Sequence, residues 1–147
     1  MKWGIVLFLL VAGVASVSAQ TLTLKEKQAI AGLDFSWAEN RILENYGRAV
    51  KIEVSALTFK GDMDAVDFAV SRGSDPVANA IAKVCYDDLG KAALLEQKVS
   101  KVVLVNAPKL KASVTIEKGV LTLTCGFASA DNFFSEGELQ SAIEDLL

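Results

Sequence analysis

The chain has 147 residues, a formal net charge of −3, two cysteines and no histidine. The lack of histidine excludes serine–histidine and cysteine–histidine nucleophilic catalysis. A mildly acidic chain lacks the basic surface that binds nucleic acid or anionic membranes, and no glycine-rich phosphate loop follows a strand. We therefore expect no cofactor, and neither nucleic acid nor a membrane as a main partner.

Residues 1–19 predict a cleaved signal peptide that takes no part in the fold. A short positive start at Lys2 precedes an apolar run over residues 5–14 and a small-residue cleavage pattern at Val17-Ser18-Ala19. The run is shorter than the roughly 20 residues that cross a membrane as a helix. Cleavage after Ala19 leaves residues 20–147 as a single domain, which we expect to be secreted or periplasmic.

Two short helices are predicted at the start of this domain. Thr23 and Glu26 have the spacing of a capping box, in which each side chain bonds the backbone N–H of the other residue. Ser36 and Glu39 repeat that spacing and predict a second helix, which Gly47 is suited to end.

The middle of the chain alternates strands and helices. Residues 49–55 alternate apolar and polar side chains, as a strand with one solvent-facing side does. Asp62 is placed to cap a short helix, and Asp75-Pro76 predicts the start of a longer one that ends near Leu89. The apolar, β-branched run at residues 101–106 predicts a central strand.

A two-stranded hairpin is predicted over residues 112–127, closed by Lys118-Gly119. Counting outward from this turn pairs Glu117 with Val120 and then alternates the side chains between two faces. The apolar face holds Ala112, Val114, Ile116, Leu121, Leu123 and Cys125. The polar face holds Ser113, Thr115, Glu117, Thr122 and Thr124. We expect helices to cover the apolar face.

The last predicted element is a helix that begins at a third capping-box spacing, from Ser135 to Glu138. With the elements before it, this helix completes an α+β domain. We expect a four-stranded, largely antiparallel sheet with helices packed on one face and polar side chains on the other.

The two cysteines, Cys85 and Cys125, predict a structural disulfide. An even number of cysteines in an exported chain favours a bond. Cys125 lies on the apolar face of the hairpin, and Cys85 flanks the apolar stripe of the helix that we place over it. Two buried free thiols are the alternative. The chain lacks both a Cys-x-x-Cys spacing and histidine, which disfavours a redox or zinc role.

Two groups of acidic residues are candidate sites that also have ordinary structural explanations. Asp62, Asp64 and Asp67 lack the spacing of an EF-hand, and helix N-termini attract aspartate in any case, so we predict no calcium site and no carboxylate pair here. Asp87 and Asp88 lie near the end of the predicted helix, where they oppose its dipole. They are therefore a candidate contact or ion site, the alternative being a solvated helix end.

Four further residues are candidates for contact with a partner. Thr115 and Thr122 lie on the polar face of the hairpin, an open platform, although strands favour threonine anyway. Phe133 and Phe134 border the start of the last helix. They either staple this helix end to the core or form an exposed binding hot spot.

The function predicted from these features is that of an exported, non-enzymatic binding or protein-interaction module, such as an inhibitor, adaptor or envelope accessory protein. This prediction rests on one small capped domain without a catalytic constellation. The alternative is a carrier of a small apolar ligand, with a pocket between helices and sheet lined by Phe59, Phe68 and Phe127. A carboxylate-based hydrolase is a third hypothesis, and it requires two acids to converge in one cleft.

Overall fold

The computed structural model describes residues 21–147, so the predicted signal peptide lies outside the described residues. The helices are α1 (Leu24–Ala31), α2 (Ser36–Tyr46), α3 (Met63–Phe68), α4 (Asp75–Val84), α5 (Asp88–Glu96) and α6 (Glu136–Glu144). The strands are β1 (Lys51–Val54), β2 (Lys101–Asn106), β3 (Ser113–Glu117) and β4 (Val120–Cys125). A 3-10 turn at Ala56–Phe59 follows β1, and a π-helix at Val70–Ser74 joins α3 to α4. None of the helices in residues 21–147 is both long and apolar enough to cross a membrane.

The four strands form one mixed sheet in the order β1-β2-β4-β3. The β1–β2 and β2–β4 pairs are parallel, and only β3–β4 is antiparallel. The α+β class with four strands is confirmed, but the prediction of a largely antiparallel sheet is wrong. For β1–β2 the physical reason is the helical connection over residues 55–100, which returns the chain to the end of the sheet where β1 began, as parallel pairing requires. For β2–β4 the reason is that β3 runs back on the far side of β4, so that β4 again has the direction of β2.

The hairpin has the predicted register. Glu117 pairs with Val120, and the antiparallel ladder ends at Ser113 and Thr124, so that Ala112 precedes β3. Lys118 and Gly119 have φ angles of 50° and 78°, which is the left-handed backbone that two-residue hairpin turns require at both central positions. The turn therefore determines which side chains of both strands face the core.

A layer of helices covers one face of the sheet. α4 is its centre, with α2 packed on one side and α6 on the other. Ala78 and Ala80 of α4 are fully buried, and such small side chains allow close packing around this helix. The sheet contributes alternate residues to the same core, namely Ile52, Val102, Leu104, Val114, Leu121, Leu123 and Cys125.

Three predicted caps are present. Thr23 and Glu26 form a reciprocal capping box at the start of α1, and Ser135 and Glu138 form another at the start of α6. Asp62 caps α3 by accepting a hydrogen bond from the N–H of Ala65. In each case the cap requires only residues within three positions of one another, and the sequence spacing is sufficient to predict it.

Two other predicted helix starts are wrong in detail. At α2 the N-cap is Phe35, and the N–H of Ser36 donates to the carboxylate of Asp34, so no Ser36 capping box forms. At α4 the cap position is Ser74, whose side chain makes no capping bond, and the N–H of Asp75 donates to the carbonyl of Val70. The π-helix runs directly into α4, so the backbone itself supplies the partner that a side-chain cap would provide.

The predicted Cys85–Cys125 disulfide is not present: both thiols are free and buried. Cys85 follows the last residue of α4, whereas Cys125 ends β4 two residues before Phe127, whose carbonyl is bound by Arg72, three residues before the start of that helix. A helix of 10 residues is about 15 Å long, while the Cα atoms of a disulfide lie within about 7 Å. The helix therefore separates the two cysteines that it was expected to connect.

Burial raises the pKa of both thiols, that of Cys125 to about 12. We therefore expect neither cysteine to react quickly with iodoacetamide in the folded protein, because the thiolate is the reactive form. In urea without a reducing agent, both should be alkylated, and intact mass spectrometry should show two adducts. A requirement for reduction before alkylation would contradict the free thiols.

Candidate functional site at the carboxyl edge of the sheet

The parallel strands β1, β2 and β4 all end at one edge of the sheet, and a cleft of about 380 Å³ lies there. In sheets with parallel strands, ligands commonly bind outside the carboxyl ends of the strands. The cleft is lined by Thr58, Lys60, Asp62, Asn106, Ala107, Pro108, Lys109 and Leu110. These residues come from the segment after β1 and from the end of β2 and the loop that follows it.

The floor of the cleft is organised by Asn106, the last residue of the central strand β2, which is only 6% exposed. Its side-chain Nδ2 donates to the carboxylate of Asp62 at 3.0 Å and to the carbonyl of Thr58 at 3.4 Å. Its Oδ1 accepts from the N–H of Phe127 at 3.3 Å. One amide side chain thus connects the segment after β1, the start of α3 and the segment after β4.

Thr58 holds the chain after β1 over the end of β2. Its Oγ1 accepts a hydrogen bond from the N–H of Asn106 at 3.0 Å and donates to the carbonyl of Ser55 at 2.6 Å. Both functions of the hydroxyl are therefore used within the protein. The hydroxyl fixes one wall of the cleft.

Asp62 lines the cleft, and both of its carboxylate oxygens accept internal hydrogen bonds. Oδ1 accepts from the N–H of Ala65 at 3.0 Å, and Oδ2 accepts from Asn106. Asp64 and Asp67, which the sequence groups with Asp62, are exposed on α3. Within residues 21–147, no group of three or more acidic or cysteine side chains is arranged to hold a metal ion.

The outer wall is the loop 107–110 after β2, which we call the lip. The N–H of Ala107, the first residue of the lip, donates to the carbonyl of Cys125 at 2.8 Å. Asn132 holds the other end, because its Nδ2 donates to the carbonyls of Leu110 at 2.7 Å and Pro108 at 3.4 Å. The lip is thereby fixed by a backbone hydrogen bond at one end and by the side chain of Asn132 at the other.

Arg72, on the π-helix, fixes the loop after β4. Its Nη1 donates to the carbonyls of Phe127 and Ser129, both at 2.8 Å. The guanidinium lies 3.9 Å from the ring centre of Phe68 and 4.3 Å from that of Phe133. An aromatic ring face attracts a cation at such distances through a cation–π interaction. Arg72 is therefore held by both hydrogen bonds and aromatic contacts.

Phe133 and Phe134 are both partly buried, and both pack against the core. Thr115 and Thr122 are paired across β3 and β4 on the face of the sheet opposite the helices. The structure therefore does not bring these four candidates together in one site. None of them lines the cleft.

Asp87 and Asp88 begin a helix rather than end one. Asp87 is the N-cap of α5 and accepts a hydrogen bond from the N–H of Gly90 at 3.2 Å, and Asp88 is the first residue of that helix. The predicted end of the preceding helix near Leu89 is wrong, since α4 ends at Val84. The two acids are thus placed where the helix dipole favours them.

Sequence reasoning missed two residues that position the cleft. The sequence pattern marks Asn106 only as the end of a strand, although a polar residue that ends an apolar strand is a signal for buried hydrogen bonding. Spacing predicts Glu26 as a capping residue, but its Oε1 also accepts from the N–H of Gly61 at 2.9 Å. This second bond joins α1 to the cleft wall at residues 60–62, and no local pattern predicts it.

No family model, no curated protein and no solved structure matches this chain.

Replacing Asn106 with alanine should destabilise the protein by about 2–4 kcal/mol, because it leaves the buried N–H of Phe127 without its acceptor and removes a donor from Asp62. The measurement is the free energy of unfolding in urea. Asn40→Ala, at an exposed position on α2, is the matched control and should change stability by less than about 0.5 kcal/mol. Equal effects of the two substitutions would contradict the proposed role of Asn106.

Glu26 should make the stability depend on pH. Backbone hydrogen bonds from Thr23 and Gly61 lower the pKa of its carboxyl from the ordinary value of 4.5. The contribution of the Glu26 carboxylate to the free energy of unfolding is therefore complete above pH 4.5. It is lost as the pH falls through the lower pKa of the folded state. Glu26→Gln should lower the urea midpoint at neutral pH, and the difference from wild type should shrink below pH 4.5.

The matched control for this pH series is Glu44→Gln, at an exposed position on α2. Its midpoint should follow the wild type across the whole range. A difference between wild type and Glu26→Gln that is independent of pH would show that the carboxylate charge is not what holds Gly61.

Proposed function

We propose that the protein is an exported, non-enzymatic protein-interaction module that receives a segment of a partner chain in the carboxyl-edge cleft. The observation that carries this proposal is the open form of the cleft. Leu110 on the lip is 62% exposed, and Lys109 beside it is also exposed. Small-molecule sites typically enclose about 70–90% of the ligand surface, whereas an open cleft with a fixed wall suits a chain that passes through it.

The polar groups of the cleft support binding rather than catalysis. The side chains of Thr58, Asp62 and Asn106 are all engaged in internal hydrogen bonds. Asp62 is the one acid among the lining residues, and a carboxylate-based hydrolase needs a second acid in the same cleft. The hydrolase hypothesis therefore receives no support from this site.

A carrier of a small apolar ligand is also less well supported. Phe59 and Phe127, which were expected to line its pocket, are fully buried and stacked with their ring centres 5.5 Å apart. Phe68 contacts Arg72. Aromatic rings packed in this way fill the space between helices and sheet that the carrier hypothesis assigns to the ligand.

Export is proposed from residues 1–19 alone. The expectation is that the intact mass of the released protein corresponds to a chain that begins at Gln20. Recovery of the full-length chain would overturn it.

The interaction proposal is tested by a photoreactive phenylalanine analogue placed at position 110, in the cells that make the protein. The same analogue at position 89 is the control, since Leu89 lies on α5, is 80% exposed and does not line the cleft. We expect a discrete covalent complex from position 110 only. Excess wild-type protein should suppress this complex, and an excess of the Leu110→Ser variant should suppress it less. Equal capture from both positions, or none from position 110, would overturn the proposal.

A further inference from the structure

We propose that the partner segment is acidic, with a carboxylate flanked by apolar side chains; this inference rests on the proposed function of the cleft. Two lysines, Lys60 and Lys109, line the cleft although the whole chain has a net charge of −3. Lys111, the residue that follows the lip, adds a further positive charge. The lining residues thus carry two lysines against one acid, Asp62, in a protein whose acids outnumber its basic residues, and complementary charge selects a partner at an interface.

Two acids bear on the charge of the cleft, Asp62 among the lining residues and Glu26 in contact with Gly61. Asp62 uses both carboxylate oxygens inside the protein. Glu26 lies behind the wall, where it accepts from Gly61 and interacts electrostatically with Lys60. Lys60 is thus partly compensated by Glu26, and Lys109 is the cation that we assign to the ligand carboxylate.

The apolar part of the segment would contact the lip. Ala107, Pro108 and Leu110 provide apolar surface beside Lys109. The N–H of Leu110 donates to the carbonyl of Ala107 at 3.1 Å, and Asn132 binds the carbonyl of Leu110. Because the backbone of the lip is already fixed, binding there costs little further backbone entropy.

The test is an NMR titration of the protein purified from cells that express the full chain. The probes are three acetylated, amidated pentapeptides, Gly-Leu-Asp-Leu-Gly and its counterparts with asparagine or lysine at the central position. We expect the aspartate peptide to shift the amide signals of Ala107, Lys109 and Leu110. The asparagine peptide should bind about three- to fivefold more weakly, and the lysine peptide more weakly still.

Two variants make the test specific to the cleft. Lys109→Gln should weaken the aspartate peptide about three- to fivefold and weaken the asparagine peptide clearly less. Lys118→Gln, in the hairpin turn at the other end of the sheet, removes the same charge and should change neither peptide. High salt should reduce the difference between the aspartate and asparagine peptides.

Equal affinity of the three peptides at the cleft would overturn the acidic preference and leave the proposed function intact. A failure of the aspartate peptide to shift the cleft signals at millimolar concentration would also overturn it. The proposed function itself is judged separately, by the covalent complex formed from position 110, which does not depend on these peptides.

Discussion

Hydrogen bonding of buried polar groups at the carboxyl edge of the sheet is the constraint on which the rest of the structure depends. Three chain segments that are distant in sequence meet there, and their backbone groups need partners inside the protein. Asn106 supplies them because an amide both donates and accepts: it bonds Thr58, Asp62 and the N–H of Phe127. A carboxylate of similar size would offer no donor to Asp62, and a leucine would offer nothing. Within residues 21–147, no buried side-chain nitrogen or oxygen is left without a partner.

The mixed topology of the sheet is what makes this edge a place for a site. Because β1, β2 and β4 are parallel, their carboxyl ends lie side by side, and the loops that follow them converge. In the predicted antiparallel sheet, neighbouring strands would end at opposite edges, and the segments after β1 and β2 would be separated by the length of a strand. The cleft is therefore a consequence of the long helical connection between β1 and β2 rather than of any single motif.

The features that could be predicted from the sequence are those whose causes lie within a few residues. The Lys118-Gly119 turn sets the hairpin register, and the capping boxes at Thr23 and Ser135 define helix starts. Strand direction could not be predicted in this way, because it depends on how the 55–100 connection packs. The cleft could not be predicted for the same reason, because it depends on contacts between residues that are distant in sequence. Asp62 is predictable as a cap, but its bond to Asn106 spans 44 positions in the sequence.

The cleft is held in place by hydrogen bonds within the protein, as the backbone of Phe127 shows. Its N–H is held by Asn106 from the central strand, while its carbonyl is held by Arg72 from the π-helix. The loop after β4 is therefore fixed from two sides, and through Asn132 it in turn fixes the lip. A partner of the proposed kind would therefore meet a lip whose backbone is already ordered, with Leu110 and the ammonium of Lys109 exposed to it. Because the buried polar groups are satisfied within the protein, the proposed specificity rests on a small apolar and basic surface.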